Sequence, residues 1–211
     1  MEFPRNAPAR GASAPHVPIR VSLMKTGHAL LWDARIQPVI ASTPGRADRL
    51  WNWTPFRTFL PLAQKLRARR AIGYCVLVRN NAGRAIPAAM SLLIETYPHL
   101  DTRKPPAEAT FVWFLASAPD TALVPLGVSP TPKLGETCLD IAITVSVNAA
   151  HDGRIGLHAA LPGLVSFYLG CGMLRLPVAV SLPVTRTNDG LFFYTDQHCA
   201  ATLVASYAAR R

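Results

Sequence analysis

Three features of this sequence could carry chemistry: a tyrosine, a glutamate and a glycine-containing loop. Tyr168 lies in the segment SFYLGCGM, and its phenol could protonate a leaving group of similar acidity. Glu95 ends a long apolar run and could accept a proton directly or through water. The loop 132–137, PKLGET, opens a predicted helix whose free N–H groups could bind an anion. The structural alternatives are a core tyrosine, a solvated strand end and an ordinary helix start.

These groups would be positioned by a predicted helix, turn, short strand, turn and second helix over residues 135–173. The first helix has a polar face with Asp140, Thr144 and Asn148. The segment 154–158, RIGLH, suits a short buried strand, and Pro162 suits the first position of the second helix. Such a unit after earlier strands indicates an α/β layer architecture. The apolar face of the first helix would be formed by Leu134, Cys138, Ile141, Ala142 and Val145.

The remaining elements follow from alternating or continuous apolar runs and from turn residues. Thr54-Pro55 starts a helix reaching about Leu66, and Asn80-Asn81-Ala82-Gly83 is a hairpin turn. Asp196 caps a last helix through Ala208. Ile19–Met24 is a strand or part of a tail, and 29–40 holds a strand or a short helix. Further strands are predicted at Tyr74–Val78, Ala85–Glu95, Thr110–Ser117, Leu176–Thr185 and Leu191–Thr195.

Length and charge limit the organisation and the partners. At 211 residues the chain fits one domain over 19–211, preceded by a disordered tail over 1–18 that could alternatively be a transit peptide. The net charge of +10 favours an anionic partner such as nucleic acid, acidic protein or a phosphorylated cofactor. The densest basic run, Lys65–Arg70, is either a solvated helix end or a phosphate-binding patch.

Cysteine usage and hydropathy predict the compartment. The four cysteines are far apart and lie in apolar settings, which indicates reduced, buried thiols in a cytoplasmic protein and argues against a zinc site. No apolar run approaches the roughly 20 residues of a membrane span, and the N-terminus has no secretory apolar core. We therefore expect no membrane partner and no metal.

Two segments, GRIGLHA and SFYLGCGM, resemble the C-terminal half of the GCN5-related N-acetyltransferases (GNAT superfamily). The matching signature is FY-x-x-x-G-apolar, which here runs from Phe167-Tyr168 to Gly172-Met173. The order of predicted elements over roughly residues 28 to 200 is also similar. The resemblance implies a mixed, mostly antiparallel α/β sheet with helices on both faces, in one GNAT-like acyltransferase domain.

The resemblance implies acetyl-CoA as the acyl donor. The family binds its pyrophosphate with an R/Q-x-x-G-x-G/A loop, and the nearest match here keeps only Gly135. Pro132 stands where Arg or Gln is expected, Lys133 could supply the missing charge, and Glu136 sits badly beside a phosphate. The backbone of Leu115 and Ala116 would bind the pantetheine arm as an added strand. The residues implied for the pyrophosphate are Lys133, Leu134, Gly135, Glu136 and Thr137.

The same resemblance implies catalytic roles. Tyr168 would protonate the departing thiolate, and Glu95 would be the general base, with Asp101 and Glu108 as weaker candidates and His158 in a supporting position. The implied function is acetyl-CoA-dependent N-acetyl transfer to an amine of an unidentified acceptor, with a homodimer left open. The alternative is a non-catalytic GNAT-like domain that binds protein or nucleic acid.

Overall fold

The computed structural model describes residues 2–10, 16–56, 70–183 and 187–211. Within these ranges eight strands form one sheet in the order β1-β2-β3-β4-β5-β6-β8-β7. Each neighbouring pair is antiparallel except β5 and β6, which are parallel. The strands are β1 Asn6–Pro8, β2 His16–Leu23, β3 Ala71–Arg79, β4 Ala85–Pro98, β5 Glu108–Ser117, β6 Ile155–His158, β7 Leu174–Arg175 and β8 Phe192–Tyr194.

Helices connect the strands, and the longest follows β5. Short 3₁₀ turns at 124–126, 162–164 and 208–210 extend three of the helices, and residues 53–56 form a further helical turn. The last helix begins as predicted, because the Asp196 carboxylate accepts the Cys199 N–H at 2.9 Å. The helices are α1 Thr26–Arg35, α2 Gln37–Ser42, α3 Asp120–Leu123, α4 Gly135–Asn148, α5 Val165–Gly170 and α6 Gln197–Tyr207.

The central strand β4 confirms that the sheet is covered on both faces. Its residues from Ile86 to Ile94 are all buried, although successive side chains point to opposite faces. Helices α1 and α4 both contact this strand. The predicted hairpin between β3 and β4 is also confirmed: the Asn80 side chain accepts the N–H groups of Ala82 and Arg84 at 3.1 and 2.9 Å. The predicted mixed, mostly antiparallel α/β architecture is therefore observed.

The predicted tail over 1–18 is wrong for the residues that the structure describes there. Residues 6–8 form β1, β2 already begins at His16, and Ala7 is fully buried. Backbone hydrogen bonds hold the segment in place: the Arg5 N–H donates to the Arg210 carbonyl, and the Lys133 N–H donates to the Pro8 carbonyl, both at 2.7 Å. The hydrophobic residues of this segment do not recur at helix or strand spacing, because the described residues are held by pairing with distant parts of the chain.

The predicted strand Leu176–Thr185 is also wrong over 176–183, since the strand there is only Leu174–Arg175. The carbonyls of Pro177 and Val180 accept hydrogen bonds from the Asn188 side chain, both at 2.9 Å, instead of pairing with a strand. Leu176, Val180 and Leu182 of this segment pack in a small cluster with Leu100 and Phe192. Burial in a loop thus produced the apolar run that resembled a strand.

Helix α4 differs from its predicted amphipathic form. Asp140 and Thr144, assigned to the polar face, are both fully buried. Arg211 covers them: its guanidinium donates to the Asp140 carboxylate and lies 3.4 Å from the Thr144 hydroxyl. The helix predicted from Thr54 is observed at residues 53–56, and its continuation lies outside the described residues, as does most of the basic run at 65–70.

Candidate functional site

The sheet opens between its two parallel strands. β5 and β6 pair at only three positions, ending with Val112 opposite Leu157. β5 then continues to Ser117, still paired with β4 on its other edge, while β6 ends at His158. The edge of β5 beyond Val112 therefore faces a cavity of about 730 Å³.

The residues that line the cavity come from five separate stretches of the described chain. β5 forms one wall, the first turn of α4 and helix α5 form another, and the loop after α2 and the segment before β2 close the sides. The chemically informative lining residues are Arg10, Arg46, Asp48, Trp51, Leu115, Lys133, Leu134, Gly135, Glu136, His158, Phe167 and Tyr168.

The first turn of α4 presents its backbone to this cavity. Among the described residues, no side chain caps the helix at Leu134, so the N–H groups of the first turn have no capping acceptor. Gly135 allows Phe167 to approach, because a Cβ at this position would lie 2.6 Å from the Phe167 ring. The predicted loop residues 133–136 all line the cavity, whereas Thr137 is fully buried and does not.

Glu136 is neutralised by a partner from the other end of the chain. Its carboxylate accepts a hydrogen bond from the Arg210 guanidinium at 2.6 Å. Arg210 in turn lies over the Tyr207 ring, with its guanidinium carbon 4.6 Å from the ring centroid. The acidic residue that conflicts with phosphate binding in the sequence therefore belongs to an ion pair.

Tyr168 lines the same cavity and is 7% exposed. Burial raises the pKa of its hydroxyl to about 12, and the nearby thiols of Cys138 and Cys171 act in the same direction. The phenol is therefore protonated throughout the physiological range and has a proton to donate there. The structure brings Tyr168 and the α4 start together, as the sequence implied.

Glu95 is not brought to the cavity. Its carboxylate lies 3.3 Å from the Arg70 guanidinium, and Glu95 is not among the residues that line the opening between β5 and β6. A general base must lie within hydrogen-bond reach of the proton it removes, so we correct this assignment. Of the two residues implied for pantetheine, Leu115 lines the cavity, whereas Ala116 is buried and does not.

His158, unlike Glu95, is a candidate general base that lines the cavity. Its Nε2 lies 2.8 Å from Oδ2 of Asp189, and its ring packs on Phe192. Burial would raise the pKa of Asp189, but the hydrogen bonds from His158 and from the Leu191 N–H outweigh it and lower that pKa. The carboxylate is therefore ionised and acts as the acceptor in this contact, so Nε2 of His158 is the donor.

Sequence reasoning did not identify Arg10 and Arg46 as lining residues, and Trp51 lines the cavity beside them. Arg46 forms a bidentate pair with buried Asp48, with contacts of 2.8 and 2.5 Å, and also donates to the Ser117 carbonyl. Trp51 packs edge-on against Phe114 at 4.8 Å. Arg10 and Arg46 belong to no local sequence motif, and the only related signal for Trp51 is a second tryptophan, Trp53, two residues later.

Other kinds of site are absent from the described ranges. No group of three or more His, Cys, Asp or Glu side chains in them is placed to hold a metal ion. Cys75, Cys138, Cys171 and Cys199 are all free thiols. No helix in the part of the chain that the structure describes is long and apolar enough to span a membrane.

Comparison with known proteins adds information at the level of the fold. The sequence matches no protein-family model, and no curated protein matches it. An acetyltransferase of the GNAT family from Staphylococcus aureus Mu50 is 12% identical, with a TM-score of 0.51 over 85% of this chain and 99% of that chain. A Tyr-to-Phe mutant of the toxin AtaT, bound to the C-terminus of the antitoxin AtaR and acetyl-CoA, is 11% identical, with a TM-score of 0.50 over 90% and 98%. Together with the strand order and the opening between β5 and β6, these similarities show that the chain has the fold of the GCN5-related N-acetyltransferases.

Proposed function

We propose that this protein transfers an acetyl group from acetyl-CoA to an amine acceptor. The observation that carries the proposal is the cavity itself, where the uncapped start of α4, the open edge of β5 and the Tyr168 hydroxyl meet. Bound acetyl-CoA would supply an acetyl thioester, which an amine attacks directly. A structural neighbour with the same fold is described as bound to acetyl-CoA, which supports the choice of donor.

The lining residues fit such a donor. β5 pairs with β6 only as far as Val112, and Leu115 beyond that point lines the cavity, where the strand backbone can bind the amides of a pantetheine arm as a neighbouring strand would. The first turn of α4 offers N–H groups and the positive end of the helix dipole to a pyrophosphate. Lys133 is exposed at the same place and adds a cation, while the charge of Glu136 is offset by Arg210.

His158 serves as the general base on the acceptor side. Asp189 fixes the proton of the neutral imidazole on Nε2, which leaves Nδ1 to take the proton of the attacking amine. The Asp189 carboxylate is itself held by the Leu191 N–H at 3.0 Å. This pair replaces Glu95, whose carboxylate is engaged with Arg70 away from the cavity.

Tyr168 serves as the general acid. As the new C–N bond forms and the C–S bond breaks, the Tyr168 hydroxyl donates to the departing sulfur. The proton that His158 takes from the amine balances the negative charge that develops on the sulfur, and proton exchange through water then gives the free thiol and neutral His158. Because its pKa of about 12 lies above that of a thiol, Tyr168 acts chiefly by stabilising the developing thiolate through a hydrogen bond.

The test combines donor binding with turnover. Acetyl-CoA should raise the melting temperature, since a hundredfold excess over the dissociation constant stabilises a native protein by about 2.7 kcal/mol. A panel of primary amines, from polyamines to aminoacyl-tRNA, is then assayed for thiol release. We expect Tyr168→Phe and His158→Gln to keep the thermal shift and to lower kcat about 10²-fold or more.

Two exposed or remote positions provide matched controls. Tyr74 lies on β3 and His198 lies on α6, and neither residue lines the cavity. The control variants are Tyr74→Phe and His198→Gln. Both variants should turn over like the unmodified protein. Donor binding without turnover of any acceptor would instead favour a non-catalytic binding domain, and no thermal shift at millimolar acetyl-CoA would contradict the proposal.

A further inference from the structure

The N-terminal segment lies beside the loop that precedes α4. Ala9 forms a β-bridge with Pro132, the Arg10 N–H donates to the Thr131 carbonyl at 2.8 Å, and the Lys133 N–H donates to the Pro8 carbonyl at 2.7 Å. Residues 8–10 thus run antiparallel to residues 131–133. This pairing places Arg10 next to the start of the helix whose first turn faces the cavity.

Arg10 extends its side chain into the cavity lining. Its Nη1 lies 3.3 Å from Oδ1 of Asp120, and no other ion pair to its guanidinium is present among the described residues. The Nε atom is buried and has no hydrogen-bond partner in the part of the chain that the structure describes. A buried guanidinium N–H without an acceptor is unfavourable, so an acceptor supplied by a ligand would be a net gain.

The ion pair with Asp120 does not by itself account for the position of Arg10. Both side chains are partly exposed, at 35% and 45%, and a partly solvated pair at this distance contributes little to stability. The pair instead holds the guanidinium near the cavity while leaving most of its five N–H donors available.

We infer that Arg10 binds the pyrophosphate of the acyl donor, in place of the arginine or glutamine that Pro132 replaces in the loop. This inference rests on the proposed function. The cation comes from a segment at the far end of the sequence, but the Ala9–Pro132 bridge brings it beside the altered position. A planar guanidinium can bind two phosphate oxygens at once, which the point charge of Lys133 cannot.

The test measures dissociation constants by calorimetry for two probes, acetyl-CoA and acetyl-pantetheine, which lacks the pyrophosphate. Arg10→Ala should weaken acetyl-CoA binding roughly tenfold or more and leave acetyl-pantetheine binding unchanged, because only the first probe carries the phosphate group. Asp120→Asn, which removes the competing carboxylate, should tighten acetyl-CoA binding. Arg5→Ala is the control, since Arg5 belongs to the same segment and its side chain pairs with Glu2.

The outcomes separate this inference from the proposed function. If Arg10→Ala weakens both probes equally, or neither, Arg10 does not recognise the pyrophosphate, and the inference is overturned while acetyl-CoA binding stands. If unmodified protein binds neither probe, the proposed function itself fails. A selective loss for acetyl-CoA that shrinks as salt is raised supports a direct phosphate contact.

Discussion

The ring of Phe167 lies directly over Gly135, so that α5 packs against the first turn of α4. A Cβ at Gly135 would come within 2.6 Å of the ring, closer than real contacts allow. The residue before Tyr168 thus touches the one glycine that the loop shares with the family pattern. The loop at 132–137 and the segment SFYLGCGM therefore pack directly against each other.

This contact gives the first prediction. Gly135→Ala should push the Phe167 ring aside, displace Tyr168 beside it and lower the free energy of unfolding by about 1–3 kcal/mol, as overpacking does. Adding Phe167→Leu should recover much of that loss, because the smaller side chain makes room for the methyl group. Urea unfolding of the single and double variants measures the coupling. Gly163→Ala is the control, since a Cβ there meets nothing within 4 Å.

The ion pair between Glu136 and Arg210 gives the second prediction. Arg210→Ala should weaken acetyl-CoA binding a few-fold, about 0.5–1 kcal/mol, because it leaves an uncompensated carboxylate beside the phosphate-binding turn. Glu136→Gln should strengthen binding by a similar factor. The double variant should bind about as well as the unmodified protein, and a double variant as weak as Arg210→Ala alone would contradict this account. Titration calorimetry at low salt measures each dissociation constant.

The buried pair of Asp140 and Arg211 gives the third prediction. Arg211→Ala leaves a fully buried carboxylate without its partner and should lower the free energy of unfolding by about 3 kcal/mol at pH 7. Burial already raises the pKa of Asp140, and Arg211 opposes that rise. Without Arg211 the acid should take up a proton more readily, so the destabilisation should shrink as the pH falls. Exposed Arg35→Ala is the control, and an equal loss in both variants would exclude a specific pair.

Asp101 gives the fourth prediction, which concerns stability against pH. The hydrogen bond from Arg103, helped by that from the Tyr194 hydroxyl at 3.0 Å, lowers the pKa of Asp101 to about 2, against the opposing effect of burial. Since the folded-state pKa lies below the unfolded value, the stabilisation is present above about pH 4 and is lost as the pH falls towards 2. It amounts to roughly 2 kcal/mol.

Asp101→Asn should therefore destabilise the protein at pH 6 and flatten the acid side of the stability profile. Tyr194→Phe should remove part of the same pH dependence, because only one of the hydrogen bonds to the carboxylate is lost. Urea unfolding between pH 3 and pH 7 checks both variants. An unchanged slope in Asp101→Asn would assign the acid sensitivity to other carboxylates.

The helix–strand–helix unit over 135–173 was predictable because its information is local. Periodicity located α4, the segment before His158 read as a strand, and the Phe167-Tyr168 signature pointed to the opening between β5 and β6. The long hairpin of β3 and β4 followed from its turn residues for the same reason.

The errors arose where distant segments meet. Arg10 reaches the cavity only through the pairing of Ala9 with Pro132, and no pattern in the N-terminal segment signals that bridge. Asp140 was predicted to face solvent because its partner, Arg211, is distant in the sequence. Glu95 ends the predicted strand but lies within the longer observed strand β4, whereas His158 ends β6, and only the sheet order shows that His158 borders the opening.

The three-residue junction between β5 and β6 has a consequence for how the fold holds together. It joins a five-stranded part, β1 to β5, to a three-stranded part formed by β6, β8 and β7. A ligand bound between β5 and β6 would hold the two parts of the sheet together, because it would form hydrogen bonds with the first part and contact the second. Amide hydrogen exchange in Phe192–Tyr194, remote from the β5 edge, should then slow when the gap is filled.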